Sequence, residues 1–408
     1  MTNKKTLLVL SQVYLPDPAS VGQHMADLAE KMTQNNWQVI VITSNRGYDN
    51  HEEKYKNVEN IRGVQVYRLS FTSFGKGSIF KRVAGQVSLL VQTVFKCLSI
   101  TRPDAILVST NLVFIIAPFL RIVKNIPYIY WVMDLNPDQA IAAGILKADS
   151  LSAKFYNWLQ YLVLDKANTV VSLDQFMYRR VNRKKQNILN HIVLPPWPHD
   201  NHLVNFSERS DRFREKNNWN NKRVLMYSGN HSLVHPLDTF LSATKEFENE
   251  KRFLMAFVGG GLGKGLVEKW IINNPRTPVV AMPYQPLDNL YQSLSAADIH
   301  LVSMGDNMIG CVHPCKIYSA MAVGKPVLLL GNLDNHITEI LEEYDIGWSV
   351  KHGDVESMIN ILMYLRDVDE GILIKKGQNG KEVIEKKFSQ KILLDKFCHF
   401  VEETQLDN

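Results

Sequence analysis

The segment CVHPCKIYSAMAVGKPVLLLG (311–331) packs more chemistry-bearing side chains into a short stretch than any other part of the chain. Pro314 fits a helix start, the apolar spacing carries that helix through Met321, Gly324 ends it and a buried strand follows. A strand read at 298–304 (DIHLVSM) delivers the chain to this helix, so the helix N-terminus stands at the carboxyl end of a sheet. Free N–H groups and the positive dipole end make such a place an anion site. Lys316 in the first turn adds a cation, which is unfavourable there unless an anion is present. His313 reads as a donor to that anion, with Pro314 and Cys315 shaping the turn. Cys311, His313 and Cys315 suggest metal ligands, but no fourth is evident and Pro314 restricts the turn, so no metal is expected.

Three other segments carry similar chemistry. YSGNHSLVHPLDTF (227–240) reads as strand, Gly229, a polar loop with Asn230 and His235, then a helix begun near Pro236. YLPDPASVGQHMADL (14–28) sets Gly22 and His24 at the first helix. YWVMDLNPD (130–138) places Asp134, Asn136 and Asp138 just after a buried strand. Asp134 could orient hydroxyl groups or act as a base; the competing reading makes it the cap of a helix from Pro137 to Ala143. GGGLGKG (259–265) fails as a P-loop, because Val258 stands where its first Gly belongs and Gly265 follows Lys264. G-x-G-x-x-G fails as well, which argues against kinases and NAD enzymes. Three loop-to-helix sites suit a diphosphate.

These segments need strands to deliver them, and the chain supplies two series. The first is TLLVLS (6–11), WQVIVIT (37–43), VQVYRL (64–69), DAILVS (104–109), PYIYWVM (127–133) and a strand over 168–172, with helices between. HIVLPPWPHDNH (191–202) breaks the rhythm with three prolines and reads as an interdomain linker. The second series is RVLMYSG (223–229), FLMAFVGGG (253–261), TPVVAM (277–282), DIHLVSM and KPVLLLG (325–331). Continuous apolar strands alternating with helices mean parallel sheets covered on both faces. The fold class is therefore α/β, with two Rossmann-like doubly wound domains facing a cleft, over 1–195 and 196–387. A final amphipathic helix within 388–408 returns to the first domain.

Composition narrows the class. The 408 residues suit two domains, and 45% hydrophobic content can fill two cores. Four cysteines form no framework, so a reducing, cytoplasmic setting is expected. The N-terminal apolar run is short, reaches Pro16 and lacks a cleavage site, so it reads as a buried strand. No run is long and apolar enough to span a bilayer, and a net charge of +5 does not suggest a nucleic-acid protein. An amphipathic helix at 76–96, with Lys76, Lys81, Arg82 and Lys96 at its ends, reads either as sheet-packed or as interfacial against anionic lipid. Arg179, Arg180, Arg183, Lys184 and Lys185 form a second basic cluster.

In their order and spacing the Gly22 loop, YWVMDLNPD, YSGN, VGGG (258–261), MPYQPLDNL (282–290) and SAMAVGKPV (319–327) resemble the retaining glycosyltransferases of family four, over nearly the whole chain. The resemblance implies the GT-B fold and retaining, metal-independent transfer of a hexosyl or N-acetylhexosaminyl group, as in bacterial surface-polysaccharide synthesis. It puts the family's Glu pair at Cys311 and Ser319, its Arg and Lys at Asn230 and His235, and a His at Met133. A subgroup with Gly-Asn and Pro-x-Lys matches Gly229-Asn230 and Pro314-Cys315-Lys316.

On this reading Lys316, His235 and Asp134 are catalytic. Gly22, Gly229, Asn230, Tyr284, Gln285, His313, Pro314, Cys315 and Ser319 bind the donor, with Tyr284 and Gln285 near the base. His24, Asn136 and Asp138 lie on the acceptor side. The donor is a UDP- or GDP-linked sugar, the acceptor a hydroxyl on a glycan, a lipid-linked glycan or a small molecule, and no cofactor is needed. Peripheral contact with the inner face of a membrane is compatible with this. An epimerase or phosphorylase of the same fold, or a non-catalytic scaffold, are the alternatives.

Overall fold

A computed structural model of the chain describes all residues except 1–3, 18, 48–51, 71–78, 111, 199–206, 287–288 and 407–408. At 79–82, 207–211 and 405–406 it describes the backbone alone. The chain divides into two compact units. One comprises Met1–Pro196, Gly310–His313 and Lys391–Asn408; the other comprises Trp197–Ile309 and Pro314–Gln390.

The first unit holds β1 (Thr6–Leu10), β2 (Gln38–Ser44), β3 (Val58–Ile61), β4 (Val64–Leu69), β5 (Ala105–Ser109), β6 (Tyr128–Val132), β7 (Thr169–Ser172) and β8 (Asn190–Val193). They form one sheet in the order β3-β4-β2-β1-β5-β6-β7-β8. All neighbours are parallel except β3 and β4. Runs such as AILVS and YIYWV are buried at every position, as strands covered on both faces must be. Right-handed crossovers put helix Ser20–Gln34 on one face. Helices Ile79–Ser99, Ile116–Lys124, Leu151–Lys166 and Gln175–Lys184 then lie on the other. The C-terminal helix Gln390–Leu406 sets Phe397 edge-on to Trp131 at 4.6 Å, and its Asp395 pairs with Lys31 of the first helix at 2.8 Å.

The second unit holds β9 (Arg223–Asn230), β10 (Phe253–Gly260), β11 (Val279–Met282), β12 (Ile299–Ser303), β13 (Val327–Leu330) and β14 (Gly347–Val350). All are parallel, in the order β11-β10-β9-β12-β13-β14. Phe240, Phe253, Phe257 and Leu328 pack in one core layer, and Ile317, Tyr318, Met321 and Leu329 in another. The strand order reverses between β9 and β12, and open α/β sheets bind ligands at the carboxyl ends flanking such a reversal. In the first unit the same reversal falls between β1 and β5.

Several sequence readings shift. The linker read from His191 contributes a strand first: β8 pairs with β7, and only from Leu194 do the prolines take hold. Residues 199–202 of that reading lie outside the described residues. The strands β3 and β14 escaped notice because VENI and GWSV are short and broken by polar residues or glycine. The helix read from Pro314 begins at Lys316 and has seven residues, with Gly324 at φ +68° beyond it. The amphipathic helix runs over Ile79–Ser99; Lys76 and the side chains of Lys81 and Arg82 lie outside the described residues. Among the described residues no helix is long and apolar enough to cross a membrane.

Candidate functional site

In the second unit, the carboxyl ends of β9 and β10 are built from glycine. Gly229 lies opposite Gly259 and Asn230 opposite Gly260 in parallel register. Gly229, Gly259 and Gly261 all have positive φ, between +112° and +139°. A Cβ on Gly259 would sit 2.0 Å from the Gly229 carbonyl oxygen, and one on Gly261 would sit 2.1 Å from Asn230 Oδ1. Only glycine lets these two strand ends close on each other. Tyr284 lays its ring against Gly260 and is otherwise exposed, while Gln285 donates to the Pro283 carbonyl at 3.0 Å. Leu287 and Asp288 of the same segment lie outside the described residues.

Lys316 reaches over this edge. Its Cε is 3.0 Å from where a Gly229 Cβ would stand, and its Nζ lies 5.0 Å from the Tyr227 ring centroid. Burial pushes the ammonium down from 10.5 to about 8, and among the described residues no carboxylate offsets it. Two histidines stand in the loop that follows β9. His231 donates its backbone N–H to the Gly260 carbonyl at 2.7 Å, and its ring lies 5.0 Å from that of Tyr227. The His235 imidazole is held well below its usual pKa by burial and by the Lys316 charge; His231 is lowered by burial. Both rings are therefore neutral at pH 7. His231 Nε2 and His235 Nδ1 are buried with no hydrogen-bond partner among the described residues. A half-buried cation beside a glycine edge, with neutral imidazoles near it, forms a site suited to a polyanion.

The other residues of this segment divide. Pro314 and Cys315 form the turn into the short helix, accepting from the Ile317 and Tyr318 N–H groups, and Ser319 follows half-buried one turn later. His313 is held by a carboxylate. It belongs to the first unit, where its Nδ1 lies 2.8 Å from the Asp174 carboxylate. Asp174 also caps helix Gln175–Lys184 by accepting from the Met177 N–H at 2.8 Å. The sequence reading placed His313 with the donor ligands because it is near Lys316 in the chain; the division into units gives His313 to the first and Lys316 to the second. Cys311 is fully buried, and its carbonyl accepts from the Leu135 N–H at 2.8 Å.

In the first unit Asp134 follows β6. Its backbone N–H, like that of Met133, donates to Thr110 Oγ1 beyond β5, at 2.9 and 3.0 Å. Burial raises its carboxyl to about 6. It does not cap the next helix, Asp138–Ala142, which has Pro137 at its N-cap and no side-chain cap bond. Asp138 is engaged by Lys184 at 2.6 Å and Arg180 at 3.9 Å, and Asn136 lies half-buried in the intervening loop. His24 is buried, with Nδ1 2.8 Å from the Ser20 carbonyl of its own helix. A Cβ on Gly22 would meet the Tyr14 backbone at 3.2 Å, so this glycine lets the helix sit close to the loop after β1. Sequence reasoning missed His231, Tyr227 and Thr110. The i, i+4 pair of His231 and His235 after a Gly-Asn turn was the available signal.

Residues 20–197 match the family described as Glycosyl transferase 4-like domain. The chain is 26% identical over 299 residues to "Probable glycosyltransferase WbjE" of Pseudomonas aeruginosa, covering 73% of this chain and 74% of that one. Among solved structures it resembles sucrose-phosphate synthase of Thermosynechococcus elongatus, with TM-score 0.77, 16% identity, and 99% and 100% of the two chains covered. It also resembles Anabaena Alr3699/HepE in complex with UDP-glucose, with TM-score 0.74, 13% identity, and 98% and 99% covered.

Proposed function

We propose that this chain, a glycosyltransferase of GT-B fold whose residues 20–197 form a glycosyl transferase 4-like domain, moves a sugar from a nucleotide-diphosphate sugar to a hydroxyl acceptor. The transfer retains the anomeric configuration and needs no metal. The second unit is the donor half, and the observation that carries this is Lys316: a half-buried ammonium with no carboxylate partner among the described residues, over the glycine edge at the reversal of a Rossmann sheet. When the acceptor oxygen bonds to the anomeric carbon and passes its proton to the departing diphosphate oxygen, the diphosphate leaves with the electron pair of the broken C–O bond. Lys316 stabilises that growing charge as a preorganised cation beside the backbone of the glycine edge, with the neutral imidazoles of His231 and His235 close to it.

UDP is the favoured nucleotide, because HepE of the same fold holds UDP-glucose. The sugar is a hexose or N-acetylhexosamine and retention is assigned on the family-four resemblance. In the first unit Asp134, ionised above pH about 6, is the carboxylate suited to hold a hydroxyl. The test is thermal stabilisation by UDP and GDP in the presence of a chelator. UDP should raise the melting temperature without metal. Failure of both nucleotides to do so would refute the donor site, and stabilisation that appears only with a divalent cation would refute its metal independence.

A further inference from the structure

Three neighbouring helices of the first unit turn apolar side chains to solvent. On Ile79–Ser99, Gly85, Leu89, Thr93 and Cys97 form the buried stripe, while Val83, Val87, Val91 and Phe95 form an exposed one. The two stripes are offset by two residues, about 200° around a helix, so the exposed stripe points directly away from the sheet. Ile116–Lys124 repeats the pattern with Phe119, Ile122 and Val123 outward, and Leu151–Lys166 with Leu151, Phe155 and Trp158. Phe95 is 69% exposed, Ile122 66%, and Phe155 and Trp158 57% each, with the last two rings stacked at 5.9 Å. The middle helix touches both others, so the three stripes form one continuous surface. A soluble surface seldom collects apolar side chains on this scale without a partner.

The charge on these helices identifies the partner. Their described side chains include Lys96, Arg121, Lys124, Lys154 and Lys166 against one acid, Asp165. Asp165 is already paired with Lys166 at 2.9 Å and Lys185 at 2.8 Å. The adjoining helix Gln175–Lys184 adds Arg179, Arg180, Arg183 and Lys184 with no acid of its own, Arg180 and Lys184 being set against Asp138. Over the whole chain Lys and Arg number 46 against 41 Asp and Glu, so this imbalance is local. Two copies meeting through this face would bring like charges together. Aromatic and aliphatic side chains flanked by cations instead match the boundary between headgroups and acyl chains of an anionic bilayer.

We infer that the face formed by these three helices seats the protein on an anionic phospholipid surface, with Phe95, Ile122, Phe155 and Trp158 entering the interface. This does not depend on the identity of the sugar donor. The experiment is sedimentation of the full chain with vesicles of phosphatidylcholine, with and without phosphatidylglycerol. The wild type should bind the anionic vesicles, bind neutral ones poorly, and release as salt rises. F95S/F155S/W158S should lower the partition by at least about tenfold, and K154E should weaken it while circular dichroism and melting stay unchanged. Because all four positions are exposed, loss of fold is separable from loss of binding. No binding to anionic vesicles, equal binding by the triple variant, or a vesicle-free dimer that the triple variant dissolves would each overturn the inference.

Discussion

Replacing Lys316 by methionine removes one charge and keeps most of the stem, so it separates what that lysine does for folding from what it does for the donor. Burial lowers its ammonium from 10.5 to about 8. That fall corresponds to about 3 kcal/mol against the folded state while the lysine is charged. The penalty is full below pH 8 and fades as pH rises from 8 towards 10.5, because the folded form loses its proton first. Its contact with the Tyr227 ring at 5.0 Å returns about 1 kcal/mol, and partial solvent access reduces the remainder. K316M should thus stabilise the unliganded protein by about 1–2 kcal/mol at pH 7, a rise of about 4 °C for a unit of this size. It should also weaken transfer. Loss of one charge-assisted contact to a departing diphosphate removes about 3–4 kcal/mol of transition-state stabilisation, or about 100- to 1000-fold in kcat/KM. Scanning fluorimetry with and without UDP, followed by initial rates, reads both effects. A variant that transfers sugar at the wild-type rate, or melts lower at pH 7 and equally at pH 10.5, refutes this account of Lys316.

Further outcomes follow from the titrating groups and from the glycines. The pH profile of kcat/KM reports the free enzyme: it should fall below about 6 as Asp134 takes up its proton and above about 8 as Lys316 loses its own. D134N should abolish the acid limb, and a profile flat across both limbs would remove these residues from the chemistry. Gly259→Ala puts a Cβ at φ +139° and 2.0 Å from the Gly229 carbonyl oxygen; it should cost at least about 2–3 kcal/mol in thermal or denaturant melts. Gly265→Ala, with open space around its Cβ inside helix Lys264–Asn273, should instead be neutral or stabilise by about 0.5–1 kcal/mol.

Most of the fold was legible because its strands are buried on both faces. Runs such as TLLVL and VLLL can be little else between helices with amphipathic spacing. The strands that escaped are those whose pairing is decided by neighbours: β3 alternates exposed and half-buried residues, and β8 ends against prolines. The site was legible in part. Lys316 and the Gly229 turn follow from local rules about helix starts and strand ends. For His313 the chain shows the nearness to Lys316 but not the Asp174 carboxylate that holds it, which comes from 139 residues earlier. Nor could Asp138 be seen as engaged, because Lys184 and Arg180 come from a helix about forty residues onward in the sequence.

The carboxylates that resemblance places at Cys311 and Ser319 bear on how Lys316 works. Cys311 is wholly buried in the first unit and its thiol is pushed up to about 11 by burial. A glutamate there would pay the same desolvation, so an uncharged side chain suits the place. Ser319 lies one turn beyond Lys316 on the same short helix. A glutamate at that i, i+3 position would pair with the ammonium and hold its pKa up. With serine there, the lysine keeps a charge that nothing in its own helix neutralises, and the favourable partner left to it is an anion brought from outside. On the proposed function, the absence of the Glu pair makes the donor edge more dependent on Lys316, because its charge is left for a diphosphate.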